Sequence, residues 1–192
     1  LPKAIRATDY HNLDLIPSDF SLRNLDLKLA GTKAPEDRLD KLLGGVKDDY
    51  DIAMLDCAPS ISLVSENVIH MADWLLIPLI PTQLSLRAYG QLREFFVSEG
   101  HNTERLMPFF SMVDKRRRLH KTLIVEFAAQ HPELLQTYIP YLSQIEQMGV
   151  HRAPVGVFAG KGAGGRAFAG LWQTIMNRTN LAPEPVVSAP HE

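Results

Sequence analysis

Residues 50–62 of the chain read YDIAMLDCAPSIS, an apolar run that ends on an acidic residue and passes through a Pro turn into a new amphipathic segment. An uninterrupted apolar run of this length, bounded by turn signals, predicts a strand buried on both faces of a parallel sheet over residues 52–55. Asp56 would then stand at the carboxyl end of that strand, where open α/β sheets bind ligands. A carboxylate in that position can serve a phosphate-bound Mg²⁺ or orient an attacking water; the simpler alternative is that Asp56 caps the following helix.

The composition is that of a soluble globular protein. The 192 residues are 45% hydrophobic and 22% charged, enough for one domain with a real core. The formal net charge of -2 gives no global attraction to nucleic acid or anionic membrane, so such binding would need a local patch. A single cysteine, Cys57, excludes an intramolecular disulfide and a cysteine zinc cluster. Its apolar surroundings predict a core residue in a reducing compartment. The sequence shows no membrane-spanning stretch and no signal peptide.

Apolar periodicity along the rest of the chain alternates between strands and helices. Further strands are predicted over residues 11–16, 74–80, 106–113 and 137–140. The spacing of apolar residues predicts helices within residues 18–29, 39–46, 61–71, 86–100, 119–131, 143–148 and 168–175. This alternation predicts a three-layer α/β/α domain with a mostly parallel sheet. We expect a single domain over residues 1–180 and a flexible, Pro-rich tail over residues 181–192.

The most concentrated positive charge follows the strand predicted over residues 106–113. The basic side chains of this run are Lys115, Arg116, Arg117, Arg118, His120 and Lys121. A charge run is usually a solvated helix face. Here it opens a helix, where basic charge opposes the helix dipole, and this mildly unfavourable placement indicates a functional role. The neighbouring Phe109 and Phe110 lie within the predicted strand, which favours a place in the core over stacking on bases.

Seven segments of the chain, in sequence order, carry a resemblance to a known family. They are residues 12–18, 51–62, 72–78, 81–86, 112–120, 138–140 and 153–155. These segments resemble the ParA/MinD type of partition ATPase, and the resemblance covers nearly the whole chain. In that family an early strand reads N-L-D-L-I-P-S, and a second strand ends in D-C-x-P-S before a helix. A third strand reads approximately A-D-x-x-L-I-P, a basic turn follows a later strand, and I-P and A-P-x segments lie near the adenine.

The resemblance implies roles for individual residues. It implies that Asp56 is a catalytic residue, which acts on Mg²⁺ through water or orients the attacking water. It implies that Pro59 and Ser60 lie in a switch loop that senses the third phosphate and signals to a dimer interface. For Pro59 and Ser60, an ordinary helix start is the structural alternative. The nucleotide-binding residues that the resemblance implies are Ile139, Pro140 and Pro154.

For the complete protein, the resemblance implies an ATPase with a P-loop NTPase-like fold of the deviant Walker A type. ATP and Mg²⁺ would be its cofactors, and ATP binding would produce a homodimer. Its partners would be non-specific DNA and a ParB-like or other cargo adaptor, in the partition of DNA or the positioning of a cargo. A cytoplasmic, nucleoid-associated location is implied without membrane attachment, since no Lys or Arg follows Asn180. The implied DNA-contacting residues, which would bind phosphates independently of sequence, are Arg116, Arg117, Arg118 and Lys121.

The chain departs from that family in its phosphate loop. No G-x-x-x-x-G-K-[ST] pattern occurs in the sequence. The nearest candidate, residues 160–165 (GKGAGG), lacks the spacing and the Ser or Thr, and a flexible loop is expected there. Together with Leu1 as first residue, this predicts a chain truncated ahead of its first strand and phosphate loop, and inactive alone as an ATPase. The alternative is a naturally loop-less, ParA-like binding module for DNA or a protein partner.

Overall fold

The computed structural model describes residues 1–20, 24–32, 37–57 and 62–181. It divides into two compact units, Leu1–Asp73 and Trp74–Glu192, each with its own helices and paired strands. The single domain expected over residues 1–180 stays a prediction, and the expected tail lies, beyond residue 181, outside the described residues. Within the described ranges, no helix combines the length and apolar composition needed to cross a membrane.

The first unit opens with a two-stranded hairpin. β1 (Arg6–Ala7) pairs antiparallel with β2 (Asp14–Leu15). The hydroxyl of Tyr50 donates a hydrogen bond to Asp14 Oδ2 at 2.6 Å, which ties a later segment to β2. The strand predicted over residues 11–16 is therefore confirmed at its centre. It belongs to an antiparallel pair, however, and not to the expected parallel sheet.

Three helices complete the first unit: α1 (Leu25–Ala30), α2 (Arg38–Gly44) and α3 (Leu63–Met71). The amino terminus of α3 is closed by a capping box, in which the side chains of Ser62 and Ser65 each accept from the other's backbone N–H. Asp26 of α1 accepts from the backbone N–H of Val64 at 3.0 Å, a favourable place for a carboxylate. The fully buried Asn67 accepts from a backbone N–H of α2 at 3.4 Å. These polar contacts fix α1 and α2 on α3.

The buried strand predicted over residues 52–55 is wrong in this structure. Residues 52–57 form no strand and are exposed, with Met54 68% accessible. An apolar run becomes a buried strand only when neighbouring strands supply backbone partners, and no described residue pairs with this one. Asp56 therefore does not end an inner strand. The predicted core position of Cys57 is also wrong, since this residue is exposed.

The second unit is built on a parallel pair of strands. β3 (Leu75–Leu79) and β4 (Leu106–Phe110) pair over their full lengths, which confirms both predicted strands. Beyond β4, Val113 forms an isolated parallel bridge with Pro140. The short strand predicted over residues 137–140 is therefore only a single bridge, but it runs in the expected parallel direction.

The helices of the second unit largely follow the predicted pattern. They are α4 (Gln83–Ser98), α5 (Arg118–Gln130), α6 (Ser143–Glu146), α7 (Met148–His151), α8 (Val155–Ala159) and α9 (Ala163–Thr179).

The long α4 is followed by Gly100 with a φ of 72°, the left-handed conformation expected after a helix end. The helical turn predicted over residues 143–148 is two short helices, α6 and α7. The last helix, α9, begins at Ala163, earlier than the predicted residues 168–175, and α8 was not predicted.

The core of the second unit lies against β4. Its buried cluster consists of Met107, Leu135, Ile139 and Leu171, with Phe109 packed against it. Phe110 is 2% exposed and meets Phe127 of α5 edge to face. The predicted core position of both phenylalanines is therefore confirmed, and α5 is fixed to the sheet by aromatic packing.

Candidate functional site

The basic run forms a turn that leads from the sheet into α5. We call residues 114–121 the basic turn. α5 begins at Arg118, and no side chain caps its amino terminus. The exposed basic side chains of the basic turn are Lys115, Arg116, Arg117, Arg118 and Lys121. The predicted clustering of positive charge at a helix start is therefore confirmed, in a place where the helix dipole alone disfavours it.

Asp114 counterbalances part of this charge. Its two carboxylate oxygens accept from Nε and Nη2 of Arg116, both at 3.0 Å, and Oδ1 also accepts from the backbone N–H of Arg116 at 3.0 Å. These hydrogen bonds lower the pKa of Asp114 to about 2. Arg116 is thus held in a bidentate ion pair although its side chain is 85% exposed. Within the described residues, the charge of Arg116 is thus locally compensated by a carboxylate.

His120 anchors the basic turn from the inside. Its side chain is only 3% exposed, and Nδ1 accepts from the backbone N–H of Asp114 at 3.1 Å. An accepting Nδ1 puts the proton of a neutral ring on Nε2, which lies 3.4 Å from Nη1 of Arg117. In the sequence, His120 stands out only as one residue of the basic run. Its spacing of three and seven residues from Leu123 and Phe127, on the buried face of α5, is the signal that identifies it as a core residue.

The residues assigned to nucleotide binding lie in two places within the second unit. Ile139 is 4% exposed, its backbone N–H donates to Phe110 O at 2.8 Å, and its carbonyl accepts from Val113 at 3.1 Å. Pro140 forms the bridge to Val113, whereas Pro154 is exposed and precedes α8. Nucleotide contact by Ile139, Pro140 and Pro154 stays a prediction.

The residues assigned to catalysis belong to the first unit. Asp56 is exposed in a segment without regular structure, and Pro59 and Ser60 lie outside the described residues. In the part of the chain that the structure describes, no three His, Cys, Asp or Glu side chains are grouped so that they could hold a metal ion. The roles of Asp56 in catalysis and in Mg²⁺ binding stay predictions.

The glycines of residues 160–165 are closely packed, so the flexible loop expected there is wrong. A Cβ on Gly165 would lie 2.5 Å from the carbonyl oxygen of Gly160. This distance is too short for any side chain, so the position requires glycine. The N–H of Gly164 donates to Gln144 Oε1 at 3.2 Å, and that of Gly162 donates to Ala159 O at 2.9 Å. These N–H groups are used internally and do not form a phosphate cradle. Residues 160–165, bonded in this way, therefore do not fit a bound Mg²⁺–triphosphate.

A second polar cluster, missed by the sequence analysis, joins α4 to the segment after α5. Glu133 Oε1 accepts from the Tyr89 hydroxyl at 2.8 Å and lies 2.9 Å from His131 Nδ1 and 3.6 Å from Arg93 Nε. Burial and then the bond to Glu133 raise the pKa of Tyr89. Burial alone would raise the pKa of Glu133, but hydrogen bonds from its own backbone, His131 and Tyr89 lower it overall. His131 also stacks on Phe127, with ring centroids 4.0 Å apart.

Comparison with known families classifies the chain. A family model described as AAA domain matches residues 1–105, more than half of the chain, and the chain belongs to this family. Its relatives are of the ParA/MinD type of partition ATPase, as the sequence resemblance predicted. The chain is 28% identical over 179 residues to the chromosome-partitioning ATPase Soj of Treponema pallidum, covering 91% of this chain and 71% of that protein. It is 27% identical over 176 residues to the sporulation initiation inhibitor protein Soj of Bacillus subtilis, covering 89% of this chain and 70% of that protein.

Solved structures confirm the fold class. A plasmid partition protein from Borrelia burgdorferi B31, bound to AMPPNP, superimposes with a TM-score of 0.78 at 19% identity, covering 92% of this chain and 69% of that one. Cobyrinic acid a,c-diamide synthase from Mycobacterium smegmatis superimposes with a TM-score of 0.72 at 19% identity, covering 98% of this chain and 72% of that one. At these identities the likeness concerns the fold alone, an α/β fold of the P-loop NTPase type.

Proposed function

We propose that this chain supplies the DNA-binding part of a ParA-like partition ATPase, with the basic turn as its contact to DNA. The observation that carries the proposal is the cluster of exposed cationic side chains at the start of α5. Such a cluster attracts the phosphate backbone without reading base edges, as a protein that moves over DNA of any sequence requires. Because the net charge of the chain is only -2, this local patch and not a global field would drive binding.

The predicted contacts differ in how well they are placed to bind a phosphate. Arg118 and Lys121 are exposed on the first turn of α5. Arg117 lies beside His120, and Arg116 is paired with Asp114. We therefore expect Arg118 and Lys121 to contribute most to binding, Arg117 less, and Arg116 least.

The test is binding of a random-sequence DNA duplex by fluorescence anisotropy across a salt series. We expect log Kd to vary linearly with log salt, and the slope to fall by about one in each of Arg118→Ala and Lys121→Ala. Arg38→Ala in α2, which removes an exposed arginine from the other unit, is the matched control and should leave the slope unchanged. A slope that is the same in all variants would contradict the proposal.

In the complete protein, we propose that ATP–Mg²⁺ binding and homodimerisation control this DNA contact, and that a ParB-like or other adaptor links it to a cargo. Asp56, Pro59 and Ser60 are the residues proposed for the catalytic and switch functions. A nucleoid-associated, cytoplasmic location would follow from DNA binding. For this chain alone we propose no ATP hydrolysis, and a turnover assay that detected normal ATPase activity would overturn that statement.

A second candidate function is a ParA-like DNA-binding module that works without nucleotide. The internal hydrogen bonds of the Gly162 and Gly164 N–H groups favour it, because these two groups are not offered to a phosphate. The two functions differ in their dependence on ATP. DNA binding by the complete protein that is identical with and without ATP–Mg²⁺ would support the module, whereas binding that appears only with ATP–Mg²⁺ would exclude it.

A further inference from the structure

An apolar cleft lies beside the basic turn, and the proposed DNA contact does not account for it. We call it the α5 cleft. Its volume is about 370 Å³, and it is open to solvent. Its lining residues are Val113, Lys115, Lys121, Ile124, Val125 and Tyr138.

The shape of the α5 cleft is set by two fixed elements. Lys121, Ile124 and Val125 follow one another at helical spacing, so they share one face of α5. Opposite them, the backbone of Val113 is bonded at both ends, its N–H to the carbonyl of residue 139 at 3.1 Å and its carbonyl to the N–H of residue 141 at 2.9 Å. The α5 cleft is therefore a preformed depression between a helix and a bridged backbone segment.

The chemistry of the lining is apolar with two cationic positions. Val125 is 69% exposed, so its aliphatic side chain is accessible to a ligand. Lys115 lies over the ring of Tyr138, with Nζ 5.5 Å from the ring centroid. The interaction with the Tyr138 hydroxyl raises the pKa of Lys115, so this ammonium group is charged at neutral pH. Among the described residues that line the cleft, none is acidic.

These features favour one kind of ligand. A DNA backbone offers anions but no apolar group to fill the α5 cleft. A nucleotide offers a base and a sugar whose polar edges need hydrogen-bond partners, whereas the surface of the α5 cleft formed by the described residues is almost wholly apolar. A peptide that carries carboxylates on either side of an apolar side chain complements both the cavity and its charges.

We propose that the α5 cleft docks an acidic, amphipathic peptide segment of a partner protein, which inserts an apolar side chain into the cleft and sets its carboxylates on Lys115 and Lys121. Lys121 also belongs to the proposed DNA contact. The docked peptide and DNA therefore compete for one ammonium group, and a partner of this kind weakens DNA binding when it docks. This competition, unlike the docking itself, rests on the proposed function.

The docking is tested with three labelled peptides and no DNA. The probe alternates pairs of leucine with pairs of glutamate. One matched peptide replaces every glutamate by glutamine, and the other replaces every leucine by serine. We expect saturable binding of the probe in fluorescence anisotropy, and binding at least about tenfold weaker for each matched peptide. The absence of saturable probe binding, or equal binding of the glutamine peptide, would overturn the proposal.

Variants then locate the binding site on the protein. Val125→Gln exchanges an exposed aliphatic side chain for an uncharged polar one and should weaken probe binding about tenfold. Val97→Gln, at a position of α4 that is 60% exposed, is the matched control and should bind normally. Methyl signals of Ile124 and Val113 in NMR spectra should shift on titration with the probe. Unchanged affinity in Val125→Gln, or unshifted methyl signals, would place the peptide elsewhere and overturn the proposal.

Crossed measurements separate this proposal from the proposed function. Val125→Gln should leave the salt slope of DNA binding unchanged, and Arg118→Ala should leave probe binding unchanged. Lys121→Ala should weaken both. If the unsubstituted chain binds the probe but not DNA, the proposed function alone is contradicted. If it binds DNA but not the probe, the docking proposal alone is contradicted. If sedimentation shows that the chain self-associates and that Val125→Gln abolishes this, the α5 cleft is an interface between copies of the chain and the peptide proposal fails.

Discussion

Arg116 is bound by the carboxylate of Asp114, two residues before it, through two parallel hydrogen bonds of 3.0 Å. A residue that the sequence assigns to DNA is thus already paired within its own turn. Releasing this arginine for a phosphate would leave the Asp114 carboxylate close to the DNA backbone, where like charges repel. The positive charge of the basic turn is therefore distributed less evenly than its sequence of basic residues indicates.

The first prediction concerns the unequal contributions of two neighbouring arginines. We expect Arg118→Ala to weaken DNA binding clearly more than Arg116→Ala, because the charge of Arg116 is compensated by its paired carboxylate, Asp114. Asp114→Asn keeps a carbonyl acceptor but removes the negative charge, and it should strengthen binding at low salt. Anisotropy with one DNA duplex measures all three variants. Equal losses in the two arginine variants would contradict the expected difference.

The second prediction concerns acid titration of Asp114. Its pKa is depressed to about 2 by Arg116, so the interaction favours the folded state at every pH above the ordinary value of 3.8 and is lost as the pH falls through about 2. In ¹³C NMR spectra the carboxyl carbon should stay at its ionised position into the acid range. Arg116→Ala should raise the titration midpoint toward the ordinary value. Arg118→Ala serves as the control with a nearly unchanged midpoint, and an unchanged midpoint in Arg116→Ala would rule out the ion pair.

The third prediction concerns the anchoring of the basic turn by His120. His120→Leu removes the acceptor for the backbone N–H of Asp114, so hydrogen exchange at that amide should accelerate by about tenfold or more. His120→Asn offers a carbonyl oxygen near the position of Nδ1 and should restore part of the protection. DNA binding should weaken in the leucine variant as the turn loosens. Exchange at Asp114 that is unaffected by His120→Leu would show that the histidine does not anchor the turn.

The fourth prediction concerns alkaline stability and Tyr89. The hydroxyl is buried and donates to Glu133, and its pKa is raised above the ordinary value of 10.0. The hydrogen bond of the protonated Tyr89 hydroxyl therefore contributes fully to the free energy of unfolding below pH 10.0, and this contribution is lost as the pH rises above that value. Tyr89→Phe should lower the free energy of unfolding by roughly 1–3 kcal/mol at neutral pH and reduce its decline in strong alkali. Urea unfolding at several pH values measures both effects.

Tyr10→Phe provides the matched control for that experiment. Tyr10 is 37% exposed, so its loss should change the free energy of unfolding by about 0.5 kcal/mol or less. If Tyr89→Phe behaved like Tyr10→Phe at neutral pH, the hydrogen bond to Glu133 would not contribute to stability.

The fifth prediction compares two glycines within helices. Gly165→Ala would bring a Cβ to 2.5 Å from one backbone oxygen and 2.8 Å from another, so we expect a loss of roughly 1–3 kcal/mol. Gly90→Ala in α4 meets nothing within 4 Å and should stabilise the chain by up to about 1 kcal/mol. Urea unfolding curves give both values. A harmless Gly165→Ala would contradict the close packing of residues 160–165.

Sequence patterns predicted the second unit well for identifiable reasons. β3 and β4 are short apolar runs that pair with each other, so apolar content and the presence of a partner coincide. The helical spacing of apolar residues that ends at Phe96 predicts α4, and the spacing that ends at Phe127 predicts α5. Each of these residues is buried on the core-facing side of its own helix. Gly100 was recognisable because a helix end favours a residue that tolerates positive φ.

The wrong predictions have a common physical origin. Residues 52–55 are as apolar as β3, but pattern alone cannot say whether a neighbouring strand is present to pair with them. The composition of residues 160–165 is typical of a flexible loop, whereas their glycines allow close approach of backbone and Gln144. The roles of His120 and Glu133 depend on contacts with residues elsewhere in the fold. Such contacts are a property of the packing and not of the local sequence.

The exposure of residues 52–55 has a consequence for how the protein behaves in concentrated solution. The segment IAML carries no charge and no proline, and its apolar side chains face water without a backbone partner in the described chain. Exposed apolar side chains that lack a partner strand favour contacts between molecules. Concentrated samples should therefore self-associate through this segment, and light scattering should show less association in Met54→Lys.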